Sequence, residues 1–266
     1  MSSVDFKLEQ RIVRLFIKLF GNTLKVFCYI HFFLRPSKRF YIAAFDLPLT
    51  SRGAGSTQIP LIIWQTNFTN QVTLPVYLNY RFNRLMAPQH EYRFMVTEER
   101  EAFIRKHFQP GVLEAYQQLQ IGAAQADLWR LLVLQKFGGV YMDIDAHLVW
   151  PLHWTIRDEA TELYLRIKTG EISNYFIASA PNNPRLQRLI DRIVQNIRER
   201  SSENVYNLTG PGVFNEVLSS EDVPTTYYLT TVNQGNFTNE FFQYIDKPQG
   251  KWTKEQRKVS VLKPPQ

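Results

Sequence analysis

Cysteine is nearly absent from this sequence: Cys28 is the only one in 266 residues. A lone thiol excludes an internal disulfide framework and any cysteine-built zinc site, and it suits a reducing compartment. Cys28 itself reads as a buried apolar thiol. Histidine is sparse, with all five at or before position 153. His147 and His153, with Trp150 and Pro151 between them, lack the spacing of a metal pair on a helix and read as structural. No apolar run approaches the roughly 20 residues of a membrane span, and no small-residue cleavage site marks a signal peptide. Internal repeats and low-complexity tracts are absent too. What is there, 44% hydrophobic and 14% aromatic residues, suffices for one large domain with appendages and excludes global disorder.

The net charge of +7 is concentrated at the two ends. Residues 1–40 carry eight Lys/Arg against Asp5 and Glu9, and residues 247–266 carry six against Glu255, which leaves the middle at −4. The body is therefore not basic. With no Lys/Arg-rich run interleaved with aromatics in 41–246, a nucleic-acid partner is not expected. In the N-terminal segment Lys7, Arg11, Arg14, Lys18 and Lys25 fall on one helical stripe, while Ile12, Val13, Leu15, Phe16, Ile17, Leu19 and Phe20 cover the rest. The pattern over 6–34 is that of a helix lying on an anionic membrane surface; the alternative is a helix that packs on the body or on a partner chain.

Four regions are expected: an amphipathic basic helical segment (1–50), a flexible linker or loop around SRGAGSTQ (51–58), a catalytic body (59–246) and a basic tail (247–266). Within the body, Ile59–Trp64 reads as a strand, Leu78–Met86 as a helix, Tyr92–Val96 as a strand and Glu98–His107 as a helix. A longer helix runs from Gly122 to Lys136 and stops at Gly138, before a Val140–Met142 strand. Strands follow at Glu162–Ile167 and Tyr175–Ser179, then a helix from Pro184 to about Arg200, opened by Asn182-Asn183. Such alternation predicts an α/β sheet with helices on both faces, whose ligands gather at the carboxyl ends of strands.

Residues 138–145 read GGVYMDID, placing two carboxylates one residue apart at such a strand end. Carboxylates there are costly to desolvate without a compensating cation, proton or hydrogen-bond donor. Hard divalent ions take carboxylate and phosphate oxygens, often with only one or two protein ligands. On the preceding helix Asp127 and Arg130, three residues apart, share a face; alone they read as a surface salt bridge, but the glycine stop turns that face back toward the strand end.

The segment Ala126-Asp127-Leu128-Trp129-Arg130, Leu134 and Gly138–Asp145 together resemble the core motif of the DXD-containing sugar transferases of glycosyltransferase family 32. Ile59–Thr66 (IPLIIWQT) resembles that family's opening strand, Asn174 with Pro181–Pro184 its asparagine block, and Thr209-Gly210-Pro211 a shorter third motif. The resemblance implies a GT-A fold, Rossmann-like in its nucleotide-sugar-binding sheet, and a reaction that retains anomeric configuration. It implies Mn²⁺ or Mg²⁺ at Asp145, with Asp143 contacting the metal shell, donor ribose or sugar. Asp127 and Arg130 would hold donor hydroxyls, and Tyr141 would line the donor site. Trp64, if not a core residue, would stack on the nucleobase of a UDP- or GDP-sugar. Asn174 would bond the donor sugar or acceptor unless it is a strand-end cap, and Thr209-Gly210 would offer backbone N–H groups to phosphate unless the stretch is a plain turn. Relatives often place a further ligand in a C-terminal His- and Trp-containing segment; here only Gly250-Lys251-Trp252 stands there, with Lys251 the candidate partner for the diphosphate.

The expected activity is hexose transfer to a saccharide or lipid-linked saccharide acceptor in surface polysaccharide or glycolipid synthesis, at the cytoplasmic face of a membrane. Sequons at Asn67, Asn207 and Asn236 permit a secretory or Golgi reading instead. Two other classes compete: a D-x-D phosphohydrolase with Asp143 as nucleophile, and a non-catalytic sugar-nucleotide-binding protein on a membrane surface.

Overall fold

Period-two alternation of apolar residues builds two cores, one on each face of a mixed sheet. The computed structural model describes residues 3–51 and 56–264. Residues 52–55 of the expected linker lie outside the described residues, as does the side chain of Lys7. Seven strands form the sheet: β1 (Phe45–Asp46), β2 (Ile62–Asn67), β3 (Glu91–Val96), β4 (Gly139–Met142), β5 (Glu162–Arg166), β6 (Ile172–Ser179) and β7 (Thr225–Tyr227), in the order β7-β5-β6-β4-β2-β3-β1. The central β4, β2 and β3 are mutually parallel, whereas β6 runs antiparallel to both β4 and β5. The longer helices are α1 (Ser3–Leu34), α2 (Leu74–Met86), α3 (Thr97–His107), α4 (Pro110–Gln118), α5 (Gly122–Phe137), α6 (Pro184–Glu199) and α7 (Pro211–Leu218).

Ile63, Val140, Met142 and Phe176 meet Val76 and Tyr80 of α2 on one face. Their neighbours Trp64, Tyr141 and Ile177 turn to the other face and meet α5 and α6. Helix α6 follows a simple stripe, burying Leu186, Leu189, Ile190, Ile193, Val194 and Ile197, with the Asn183 side chain accepting from the Arg185 N–H as its cap. Helix α5 has no stripe: every residue from Leu128 to Leu134 is buried. A helix enclosed on all sides is fixed in position, and so are the charged groups it carries.

The α5–β4 junction has no loop. Gly138 closes the helix at φ +66° with its N–H on the Leu134 carbonyl at 2.8 Å, and Gly139, at φ +106°, already begins the strand. A Cβ on Gly139 would lie 2.6 Å from the Ile62 carbonyl oxygen, and one on Gly138 would lie 2.7 Å from Pro60 Cδ. Only glycine meets both demands, left-handed backbone and direct backbone approach.

Several expected boundaries differ, among them the helix expected from Leu78, which begins at Leu74, and the strand expected from Tyr175, which begins at Ile172. The 1–50 segment is not separate from the body, because Phe45–Asp46 is the sheet's edge strand. Residues 247–264 are not a free tail: Val261 and Leu262 are buried, and the Gln120 N–H donates to the Val261 carbonyl at 2.9 Å. The first strand begins and ends three residues later than its apolar run suggests, at Ile62–Asn67. Helix α1 packs on the body along one face, where Ile17 and Cys28 are buried, the Phe20 ring meets Phe237, Tyr29 meets Phe242, and Lys25 Nζ donates to the Gly235 carbonyl at 2.6 Å. Beneath it His147 Nε2 bonds the Asn236 amide at 3.0 Å; burial first, and then the Lys25 charge, push its pKa down to about 4.

Gly139→Ala should cost at least about 2 kcal/mol in urea unfolding, combining strain and clash. Gly170→Ala, also at positive φ but with nothing within 4 Å of its Cβ, should cost about 1 kcal/mol. Equal losses in the two variants would mean that close backbone approach is not the constraint at the junction.

Candidate active site

The carboxyl ends of β2, β3 and β4 open into a cleft of about 750 Å³. Thr66 and Asn67 at the end of β2 and Phe68 after it line one side, Thr97 and Glu98 follow β3, Asp143 follows β4, and Asp127 and Arg130 project from α5. The opposite wall comes from far along the chain: Gln234, Tyr244, Lys247 and Trp252.

Arg130 is the hub of the polar network. Its Nη1 donates to the Asn174 carbonyl at 2.6 Å and lies 3.4 Å from Asp143 Oδ1, its Nη2 is 2.9 Å from Asp127 Oδ1, and the guanidinium lies 4.5 Å from the Tyr141 ring centre. Burial opposes this charge, but Tyr141 and the aspartates at 143, 127 and 145 outweigh it and raise the Arg130 pKa. Asp127 accepts from Asn174 Nδ2 at 2.9 Å and Thr209 Oγ1 at 3.0 Å. Burial lifts its carboxyl to about 6 against the pull of Arg130 and these two donors. Three of the roughly four acceptor positions of Asp127 are thus filled by protein.

The two aspartates of the D-x-D converge. Gln234 Nε2 donates to Asp145 Oδ1 at 3.0 Å and approaches Asp143 Oδ2 at 3.4 Å, while the Tyr141 hydroxyl donates to Asp143 Oδ1 at 2.7 Å. Burial, and then the neighbouring Asp143 charge, push the Asp145 carboxyl up to about 7. Buried amides hold the turn's backbone: Gln65 donates to the Asp143 carbonyl, and Asn79 to those of Ile144 and Ala146, all within 3.0 Å.

These oxygens are the donor set a hard divalent ion takes. No group of three His, Cys, Asp or Glu able to hold a metal occurs among the described residues. Asp143 and Asp145 therefore fit an ion that draws its other ligands from substrate phosphate and water. Asp145, raised by burial beside a second carboxylate, is the group that a cation would relieve.

Asp127, Arg130, Tyr141, Asp143, Asp145 and Asn174 come together here; Asn174 faces Asp127 from within β6 rather than capping a strand end. Others do not join them. Trp64, expected to stack on a nucleobase, is 3% exposed in the core, with Nε1 on the Gly138 carbonyl at 2.9 Å and its ring against Trp129 and Phe137. The reason is register: β2 continues three residues past Trp64, so the cleft end of the strand is Thr66–Phe68. Thr209 acts through its hydroxyl on Asp127, and the backbone N–H groups of Thr209 and Gly210 both donate to the Val205 carbonyl, so neither is free for phosphate. Lys251 turns away from the cleft to pair with Glu240 at 2.8 Å; Gly250 and Trp252 beside it are the residues that line it.

Two residues of the site escaped the sequence reading. Gln234 reaches the D-x-D because residues 232–234 pair antiparallel with 146–148, Gln234 opposite Ala146. Arg100 lines the cleft from α3, 2% exposed, with its Nε on Thr66 Oγ1 at 2.8 Å and no ion pair to a carboxylate among the described residues. Its signal was an arginine on the face of α3 that also buries Phe103 and Ile104.

Comparison with known proteins finds relatives over part of the chain. Residues 75–162 match the family described as the glycosyltransferase sugar-binding region containing DXD motif, a stretch that holds Asp127, Arg130, Tyr141, Asp143 and Asp145. Over that stretch the chain is similar to the DXD-containing glycosyltransferases, and its mixed sheet flanked by helices is consistent with the expected GT-A fold. It is 25% identical over 194 residues to the initiation-specific alpha-1,6-mannosyltransferase of Schizosaccharomyces pombe, covering 60% of this chain and 48% of that protein. It is 36% identical over 107 residues to toxin Afp18 of Yersinia ruckeri, covering 37% of this chain and 5% of the toxin. The chain thus spans about half the length of the mannosyltransferase and a small part of the toxin. Among solved structures, the PaToxG glycosyltransferase aligns with 80% of this chain and 79% of its own, at 18% identity and a TM-score of 0.49.

A carboxyl at about 7 when folded and about 3.9 when unfolded binds its proton more tightly in the native state, so its stabilising contribution is complete below the unfolded value and is lost as pH rises through 7. With metal chelated, Asp145→Asn should therefore raise Tm at pH 8 by about 3 °C or more and change it little at pH 4. A Tm difference that does not vary with pH would show that Asp145 is not the strained acid.

Proposed function

We propose that this chain is a metal-dependent, retaining glycosyltransferase that moves a hexose from a nucleotide sugar to a saccharide or lipid-linked saccharide acceptor in surface polysaccharide or glycolipid synthesis. The observation that carries the reading is the convergence of Asp143 and Asp145 on the Gln234 amide, at the edge of a cleft whose floor is the Arg130–Asp127 pair.

Asp145 and Asp143 would hold Mg²⁺ or Mn²⁺, which when bound supplies positive charge against the leaving diphosphate. Arg130, kept charged by its acidic surroundings, orients Asp143 and Asp127 and adds to the positive field under the donor. Asp127 has one acceptor position open for a sugar hydroxyl. Arg100, a buried cation without a carboxylate partner among the described residues, suits an anionic or carbonyl-bearing part of the nucleotide, and Phe68 offers the aromatic face that Trp64 does not. In the transfer, the bond from the anomeric carbon to diphosphate breaks and the bond to the acceptor oxygen forms on the same side of the sugar. The acceptor hydroxyl's proton passes to the departing phosphate. Retention rests on the family resemblance.

The geometry of Asp143 disfavours the phosphohydrolase reading: Oδ1 accepts from Tyr141 and lies beside Arg130, which lowers its worth as a nucleophile. A cytoplasmic location belongs to the proposal, and two of the three sequons favour it, the exposed Asn207 being the exception. Asn67 lines the cleft, and the Asn236 amide is held on His147 beneath α1, so a glycan at either would collide with the fold.

A panel of UDP-, GDP- and CMP-sugars with and without Mn²⁺ tests donor and metal together. Saturation at 100 times Kd adds about 2.7 kcal/mol, a Tm rise of roughly 5–10 °C for a chain of this size, and it should need both components. Asp145→Ala should abolish the metal-dependent rise and reduce transfer at least about 100-fold, whereas Trp64→Phe should leave donor affinity within about twofold. Unimpaired transfer by Asp145→Ala would sink the metal assignment; donor binding with no turnover on any acceptor would leave a binding protein.

A further inference from the structure

We propose that the outer face of α1 docks flat on an anionic lipid surface. The helix has two faces of opposite use. Ile17, Gly21 and Cys28 are buried against the body at intervals of four and seven, and a Cβ on Gly21 would already lie 3.2 Å from the Asn236 backbone. The opposite face carries Leu8, Ile12, Leu15, Leu19, Val26, Ile30 and Phe33, a ladder at helical spacing. Leu19 is 67% exposed, Val26 61% and Phe33 84%. Phe16, Phe27 and Leu34 widen it, giving an uncovered apolar strip about 40 Å long, far beyond the scattered exposed side chains of an ordinary surface.

Charge decides the occupant. Arg11 and Lys18 stand exposed along one edge of the strip, Arg14 and Lys25 are half-buried beside them, and Arg35 and Lys38 follow the helix end; Glu9 is the one acid on the described exposed face. A second copy of this chain on the strip would bring these like charges together. An anionic bilayer neutralises them while taking the apolar side chains into its interface. The helix cannot instead cross the bilayer: among the described residues none is long and apolar enough, and one face is already committed to the body.

The packed face of α1 rests on the segment that walls the cleft. Phe20 meets Phe237, Tyr29 and Phe32 meet Phe242, Gln234 just before this contact touches both aspartates, and Tyr244 just after it lines the cleft. Docking therefore holds that wall behind α1, about one helix diameter from the lipid surface, where, on the transferase reading, a lipid-linked acceptor would arrive.

Sedimentation of the full chain with vesicles tests this without any activity. Vesicles of phosphatidylcholine with a quarter phosphatidylglycerol should bind it roughly tenfold or more better than phosphatidylcholine alone, and high salt should erase the difference. Leu19→Glu/Val26→Glu/Phe33→Glu should lose binding with its thermal melt unchanged, and Arg11→Glu/Lys18→Glu should lose only the anionic preference. Failure to bind either vesicle overturns the proposal, as does a dimer in velocity sedimentation that the triple variant dissociates. The donor-dependent thermal shift, read without lipid, reports separately on the transferase reading.

Discussion

A guanidinium removed from water organises this molecule. Arg130 is 4% exposed on a helix enclosed by apolar neighbours, and an isolated charge there would cost several kcal/mol. It is tolerated because α5, β4 and β6 each supply an acceptor: Asp127, Asp143 and the Asn174 carbonyl. The compensation works only if the three elements keep their relative positions to a few tenths of an ångström. The electrostatic requirement is thus also a geometric one, and it fixes the D-x-D relative to the helix without any direct contact between Asp127 and Asp143.

The same arrangement leaves the site unbalanced in the direction that the proposed cation would correct. Arg130 pairs directly with Asp127 and approaches Asp143, but against burial and the repulsion of Asp143 the Asp145 carboxylate has the Gln234 amide, a backbone hydrogen bond and only the more distant charge of Arg130. Its place is nonetheless enforced by backbone bonds from Gln65, Asn79 and Asn83 to the turn, so the acid cannot relax away. On the proposed reading, a fold that holds an undercompensated carboxylate in place gives up stability for affinity toward the cation it would bind.

How much of this was legible in the sequence depended on whether the determining contact was local. The α5–β4 junction was legible because both ends carry local signals, a helix stop at Gly138 and an apolar strand running into two acids. The pairing of Asp127 with Arg130 was legible from i,i+3 spacing, but not its burial, since an apolar helix with one charged pair reads equally as a surface element. Trp64 was misplaced because an apolar run marks where a strand is buried, not where its hydrogen bonding ends; Gln65, Thr66 and Asn67 continue β2 with polar side chains. Gln234 lay beyond local reading altogether. Its partners are 89 and 91 residues away, and only the pairing of 232–234 with 146–148 brings them together.

That division has a consequence for specificity. Residues 75–162, the part matched by the DXD family model, supply Asp127, Arg130, Tyr141 and Asp143 to one side of the cleft, with Asp145 beside them. The facing wall of Gln234, Tyr244, Lys247 and Trp252 lies outside that region, rests on α1 through Phe237 and Phe242, and is held by ion pairs such as Lys247–Glu255 on residues near the chain's end. The family region carries the charges that a diphosphate and its ion need, and these tolerate little change because each one neutralises another. Apart from Gln234, the facing wall pairs outside the buried network, as Lys247 does with Glu255, so its side chains can vary without unbalancing that network. Within the proposed reaction, selection among acceptors therefore falls to residues 234–252, and their register on the DXD side is set by the pairing of 232–234 with 146–148.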